Sequence, residues 1–174
     1  MENAAAAFKL DDTVYYAGRR MRVAGVTAME GASGQRTTRY LLEDAAGAPV
    51  LLEEAERRFA LLRPFPAGAQ LHPVGNVVTV GREKYTLVGV RKLTLLGAEG
   101  KAPGGRPLGA LLLSGVFEGE AGTLMREVAP GAEDPLYYLV KSLAPDSVLS
   151  TAQYNEAKEV ERRAAGNGTD EALG

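Results

Sequence analysis

Six carboxylates stand close enough in sequence to suggest chemistry: Glu43-Asp44, Glu53-Glu54, and Glu118 with Glu120. Paired carboxylates hold hard cations or divide acid and base work between them. Glu118 and Glu120, two apart on a strand, would face the same side. No feature of the sequence brings any pair together with another, so turn and surface roles are the expectation. The only histidine, His72, lies in Leu71-His72-Pro73. A histidine can serve as a general base or a pH switch, but no Ser or Asp near it suggests a triad. A surface or interdomain position is expected. The chain has no cysteine, which removes disulfides, thiolate nucleophiles and Cys-ligated zinc. The segment Gly97-Ala98-Glu99-Gly100-Lys101 superficially resembles a phosphate loop. A true one has four residues between its glycines and a Ser or Thr after the lysine; here there are two, and Ala102 follows. Gly97 to Gly109 is therefore expected to be a flexible hairpin loop. These observations argue against an enzyme and assign no catalytic, metal or cofactor-binding residue.

Residue types suited to binding are more prominent. Tyr15 and Tyr16 precede Arg19, Arg20 and Arg22, and Arg36, Arg39 and Tyr40 follow. Exposed arginines interleaved with aromatic rings on strands can bind single-stranded nucleic acid through charge and stacking. The competing reading is edge protection, because charge on an exposed strand discourages pairing with other strands. Net charge favours the second reading. It is −2 overall, with nine basic and nine acidic residues in 1–68 and eight of each in 69–149. The acidic excess falls in the tail from 150. Near that end, Tyr154, Ala157 and Val160 share one face of a helix, with Ala164 adjacent. This narrow stripe suits docking onto the body of the protein or pairing with a partner helix.

The elements that must position these residues read as strands. Residues 14–26 and 77–90 are a weak internal repeat, with Gly18-Arg19 echoed by Gly81-Arg82 and Gly25-Val26 by Gly89-Val90. Alternation of Val14, Tyr16, Met21 and Val23 with polar or small neighbours predicts a hairpin in each half. Gly25 and Gly89 fall where a strand would bend or bulge. An extra residue in the second turn would account for the shifted register. Loops are expected at Glu30 to Thr38 and Gly97 to Gly109. Further strands are expected at Tyr40–Asp44, Val50–Leu52, Phe59–Leu62, Leu111–Phe117, Thr123–Val128 and Tyr137–Lys141. Pro64 to Pro73 reads as a linker, since its prolines interrupt regular structure. A helix is expected from Asn155 to Ala165, capped by Ser150 or Thr151 and ending at Gly166.

The segments Tyr40-Leu41-Leu42-Glu43-Asp44, Val50-Leu51-Leu52-Glu53 and Arg58-Phe59-Ala60-Leu61-Leu62-Arg63-Pro64 resemble the bacterial domain-of-unknown-function family numbered 4178. So does the opening order of acidic turn, strand, Gly-Arg turn and strand. Gly115-Val116-Phe117-Glu118-Gly119 and Tyr137-Tyr138-Leu139-Val140-Lys141 resemble it more loosely, extending the resemblance over residues 8–150. The family's tryptophans have no counterpart here. The resemblance implies an accessory or scaffold role and no catalytic residues.

The expected fold is mostly β: two tandem small antiparallel sheets or partly open barrels packed together, plus a C-terminal helix. The boundaries expected are 1–66, 67–149 and 150–174. The expected function is protein–protein interaction or self-association without a cofactor. Nucleic-acid binding through Tyr15, Arg19, Arg20 and Arg22 is the first alternative; carboxylate catalysis in an interdomain cleft is the second. The N-terminus lacks the basic start and apolar run of a signal peptide, which makes cytoplasmic residence the default expectation.

Overall fold

The computed structural model describes residues 6–65, 70–101, 109–129 and 134–173. Twelve strands are present among them: β1 (Thr13–Tyr16), β2 (Arg19–Gly31), β3 (Arg36–Glu43), β4 (Pro49–Ala55), β5 (Arg58–Pro64), β6 (Leu71–Val74), β7 (Val77–Val80), β8 (Glu83–Gly100), β9 (Leu111–Gly119), β10 (Gly122–Val128), β11 (Leu136–Ser142) and β12 (Val148–Ser150). A short 3-10 turn (Pro145–Ser147) precedes β12, and an α-helix, α1 (Thr151–Leu173), follows it. No helix among the described residues is long and apolar enough to cross a membrane.

The strands form one sheet in the order β12-β1-β2-β3-β4-β5-β11-β10-β9-β8-β7-β6, and β2 also pairs with β8. That last pairing closes β2-β3-β4-β5-β11-β10-β9-β8 into an eight-stranded antiparallel barrel. The expectation of two tandem sheets is corrected here. Each half is a meander, five strands in the first (β1–β5) and six in the second (β6–β11), and alone each leaves an outer strand and the free stretch of its long strand unpaired. The halves satisfy those edges on each other, β5 with β11 and β2 with β8.

The internal repeat is real in three dimensions. Val14 pairs with Met21 and Val78 with Tyr85. Register breaks between Val23 and Gly25 and again between Leu87 and Gly89. The offset is thus constant at 64 residues (14 to 78, 21 to 85, 25 to 89). Both hairpin turns have two residues, Ala17-Gly18 and Gly81-Arg82, so no extra residue is needed. Ala17 and Gly18 both have positive φ, whereas in the second turn only Gly81 does. These are the two turn geometries whose twist suits a hairpin. The closing ladders obey the same pseudo-twofold: Met29 faces Leu95 while Gly31 faces Leu93, and Leu62 faces Val140 while Pro64 faces Tyr138.

Strand alternation sends one side chain outward and the next into the lumen. Outward-facing Tyr40, Leu42 and Leu52 are covered by Val14, Met21, Phe8 and Val148. The second half repeats this with Phe117 and Leu124 under Val78 and Tyr85. Each fully buried side chain of this kind contributes about 1.5–3 kcal/mol. The lumen holds Met29, Leu93, Leu95 and Leu112 in one cluster and Leu51, Leu62, Met125 and Tyr138 in another.

Several expected boundaries shift. The 30–38 loop shrinks to four residues, because β2 runs through Gly31 and β3 begins at Arg36. Strand β8 continues to Gly100 because it pairs with β2; residues 102–108 of the expected loop lie outside the described residues. His72 stands exposed on β6, an edge strand, rather than in a linker. Pro73 is tolerated there because an edge strand has one unpaired side. Helix α1 begins at Thr151 and continues past Gly166; a single glycine costs only about 1 kcal/mol in a helix.

Candidate interaction edge

β8 spans 18 residues, more than any one neighbour on its outer side can pair. Its first part, Glu83 to Thr86, pairs with β7. Its last part, Leu93 to Gly100, pairs with β2. Between them Gly89 to Lys92 pairs with β9 on one side, after a bulge at Val88. On the other side no strand of the described residues pairs with it. The equivalent bend in β2 is closed: Val23 N–H donates to the Asp12 carbonyl and Lys101 N–H to the Ala24 carbonyl. In β8, among the described residues, only Leu87 N–H finds such a partner, the Asn76 carbonyl.

The open stretch is apolar and basic. Val88 is 57% exposed and Val90 60%, unusual values for valines on a strand. Lys92 is exposed, and Val90 and Lys92 point to the same outer side. A groove of about 360 Å³ runs from this edge to the β2–β3 turn; its charged lining residues are Arg36, Arg91 and Lys92 against one carboxylate, Glu56. Arg36 and Lys92 carry no ion pair among the described residues, while Arg91 is held from inside the barrel.

The lumen behind the edge contains a charge cluster. Arg39 Nε donates to Glu53 Oε2 at 3.0 Å, and its Nη2 forms an ion pair with Glu127 Oε1. Arg91 Nη1 reaches Glu53 Oε1 at 3.1 Å. Arg39, Glu53 and Glu127 are all buried. Burial disfavours the charged form of both arginine and carboxylate. For Arg39 the Glu127 and Glu53 charges outweigh it and hold the proton more firmly than usual. For Glu53 the Arg39 and Arg91 charges outweigh it and keep the carboxyl below the usual carboxylate range. Ser114 Oγ is buried without a partner among the described residues.

The remaining residues singled out in the sequence are largely occupied. Arg19 pairs with Asp44, and Arg22 with Asp11 and Glu43. Asp44 sits below its ordinary pKa, through the Ala48 N–H foremost and with help from Ala46 and Arg19. Arg20 is exposed beside Tyr15 in the β1–β2 ladder. Tyr15 stacks on Tyr154, with ring centroids 3.8 Å apart and planes 4° from parallel. Ala157 and Val160 lie on the same helix but are exposed, Val160 at 61%. Thus Tyr154 docks and the rest of the stripe projects. Tyr40 donates to Glu54 at 2.6 Å; burial first, then this bond, raises its pKa. Glu118 and Glu120 are exposed. No group of three His, Cys, Asp or Glu suited to a metal ion occurs among the described residues.

Sequence reasoning missed Arg91, Glu127 and the open β8 edge, and it assigned Arg39 to an exposed basic cluster. One signal was available: period two places Arg39 on the face of Leu41 and Glu53 on that of Leu51, hence inward. Comparisons with family models, curated proteins and solved structures give no match.

Proposed function

We propose that this protein is a non-catalytic binding module that captures an extended, acidic segment of a partner protein by strand addition to β8. The carrying observation is the five-residue stretch Val88 to Lys92, which lacks a strand neighbour among the described residues while exposing two valines. An added strand gains affinity from main-chain hydrogen bonds and specificity from alternate side chains. Val88 and Val90 offer apolar contact, and Lys92 and Arg36 favour acidic residues in the guest. The resemblance to an accessory-protein family fits this reading. Nucleic-acid binding draws less support, because Arg19, Arg22, Arg39 and Tyr15 are engaged within the chain. Carboxylate catalysis also draws less, since Glu53 and Glu127 are neutralised by Arg39.

A fluorescein-labelled peptide of alternating valine and glutamate tests the proposal by anisotropy and hydrogen exchange. Binding should slow exchange of amides within 88–92, and the double variant Val90→Lys, Lys92→Glu should abolish it. An alternating valine and lysine peptide should bind far more weakly. Equal binding of both peptides, or no protection at 88–92, would overturn the reading.

A further inference from the structure

A second concavity lies at the rim of the barrel and shares no lining residue with the groove at the β8 edge. It has a volume of about 580 Å³, within the roughly 300–1,000 Å³ typical of small-molecule sites. Its walls come from both sides of the sheet: lumen-facing Leu41, Leu51, Leu62 and Tyr138, and outward-facing Val50 and Leu61. Leu51 and Tyr138 also line a small lumen cavity of about 50 Å³ that reaches Arg39 and Glu127. The rim cavity therefore sits above the buried charge cluster.

The charged residues lining it are all basic: Arg19, Arg63 and Lys101. Two of these already have carboxylate partners outside the lining, Asp44 for Arg19 and Glu43 for Lys101. Arg63 is exposed and has no ion pair among the described residues. The site thus combines an apolar wall with one uncommitted cation and two cations whose outer sides are held. Asp44 and Glu43 already partner Arg19 and Lys101, which leaves Arg63 as the cation open to an incoming anion.

We infer that the rim cavity binds a free single-chain carboxylate, its hydrocarbon chain against Leu41, Val50, Leu61 and Leu62 and its head group on Arg63. An apolar ligand without charge would leave the arginine unused. A cationic amphiphile would meet three like charges. A charge-assisted hydrogen bond contributes enough to separate carboxylate from alcohol by about tenfold in affinity.

Isothermal titration of the full chain with decanoate, decanol and decyltrimethylammonium, all below their micelle concentrations, tests this. Decanoate should bind saturably at one per chain, decanol about tenfold more weakly, and the cation not at all. Arg63→Glu should reduce decanoate affinity by a similar factor and leave decanol unchanged. Leu41→Trp should fill the cavity and abolish both. Should that variant misfold, NMR shift changes on decanoate addition must instead centre on Leu62 and Tyr138 in the unmodified protein. Decanol binding as tightly as decanoate, indifference to Arg63→Glu, or shifts centred elsewhere would each overturn the inference. Val90→Lys, which disables the β8 edge, should leave decanoate binding intact, so the two sites fail independently.

Discussion

Glu53 in the first half and Glu127 in the second occupy equivalent lumen positions, yet their cross-strand neighbours differ. Arg39 stands opposite Glu53, and Ser114 stands opposite Glu127. One guanidinium therefore serves two buried carboxylates, one from each half. Arg91 of the second half adds a second cation, but it reaches Glu53 of the first half rather than Glu127. The halves are therefore interdependent, because the second half's carboxylate is paired with a cation of the first and the first half's with a cation of each. Divergence inside a duplicated barrel can thus couple the copies through buried side chains as well as through their shared ladders.

Arg39 carries most of that coupling. Arg39→Met leaves two carboxylates buried without their main counter-charge and should cost about 3–5 kcal/mol in urea unfolding. Ser114→Ala, at the equivalent site, removes a hydroxyl that has no partner among the described residues and should change stability by no more than about 0.5–1 kcal/mol. Equal costs would mean the cluster does not couple the halves. The same cluster sets an acid limit. The folded-state pKa of Glu53 is depressed, so its contribution is complete above the unfolded carboxylate value of about 4.3. It is lost as pH falls through the lower folded value. Stability measured from pH 6 downward should drop in that window, and Glu53→Gln should flatten the drop.

The next effect contrasts the two bulge glycines, which look alike in sequence. A Cβ at Gly25 would lie 1.8 Å from the Lys101 carbonyl oxygen, whereas at Gly89 it would meet open space. Gly25→Ala must push β2 from the end of β8 and should cost about 1–3 kcal/mol, the range for overpacking. Gly89→Ala should fall within about 0.5 kcal/mol of the parent protein. Similar costs at both would mean that the β8 bend is as closed as the β2 bend, which would also weaken the case for strand addition there.

Much of the fold was legible because it is written locally. The hairpin at Val14–Val23, its echo at Val78–Leu87 and the bulges at Gly25 and Gly89 follow from period-two alternation and glycine placement. Closure was not legible, because β2–β8 and β5–β11 are long-range pairings with no local signal. The rule that Pro64 to Pro73 interrupts structure missed β6, where Pro73 is accommodated on an edge. The candidate sites suffered from the same gap. An exposed Val90 looks like any strand valine until β8 proves longer than its neighbours. Arg39 looks like part of a basic face until the sheet closes around it. Tyr15 and Tyr154 were both noticed, but only the folded chain brings rings from opposite ends together.

The smallest expected effect uses that aromatic pair, again by placing a second-half residue in the first. The constant offset matches Tyr15 to Thr79, which faces His72 on β6. In the first half the corresponding edge of β1 is taken by β12, and Tyr154 of α1 stacks on Tyr15. Downstream, α1 is held together mainly by its own pairs, Lys158 with Glu161 and Glu159 with Arg162 and Arg163. Pairs of this kind supply only a few tenths of a kcal/mol each, and most of a helix's stability in a protein comes from packing rather than from such pairs. Tyr15→Thr should therefore cost about 0.5–1.5 kcal/mol, the worth of a stacked aromatic contact. The loss should appear as reduced helical circular dichroism before the barrel unfolds. Val160→Ala, on the projecting part of the stripe, should leave the helical signal unchanged. If Val160→Ala reduces that signal instead, the projecting stripe is covered in solution, and a second copy of the chain becomes the surface to look for.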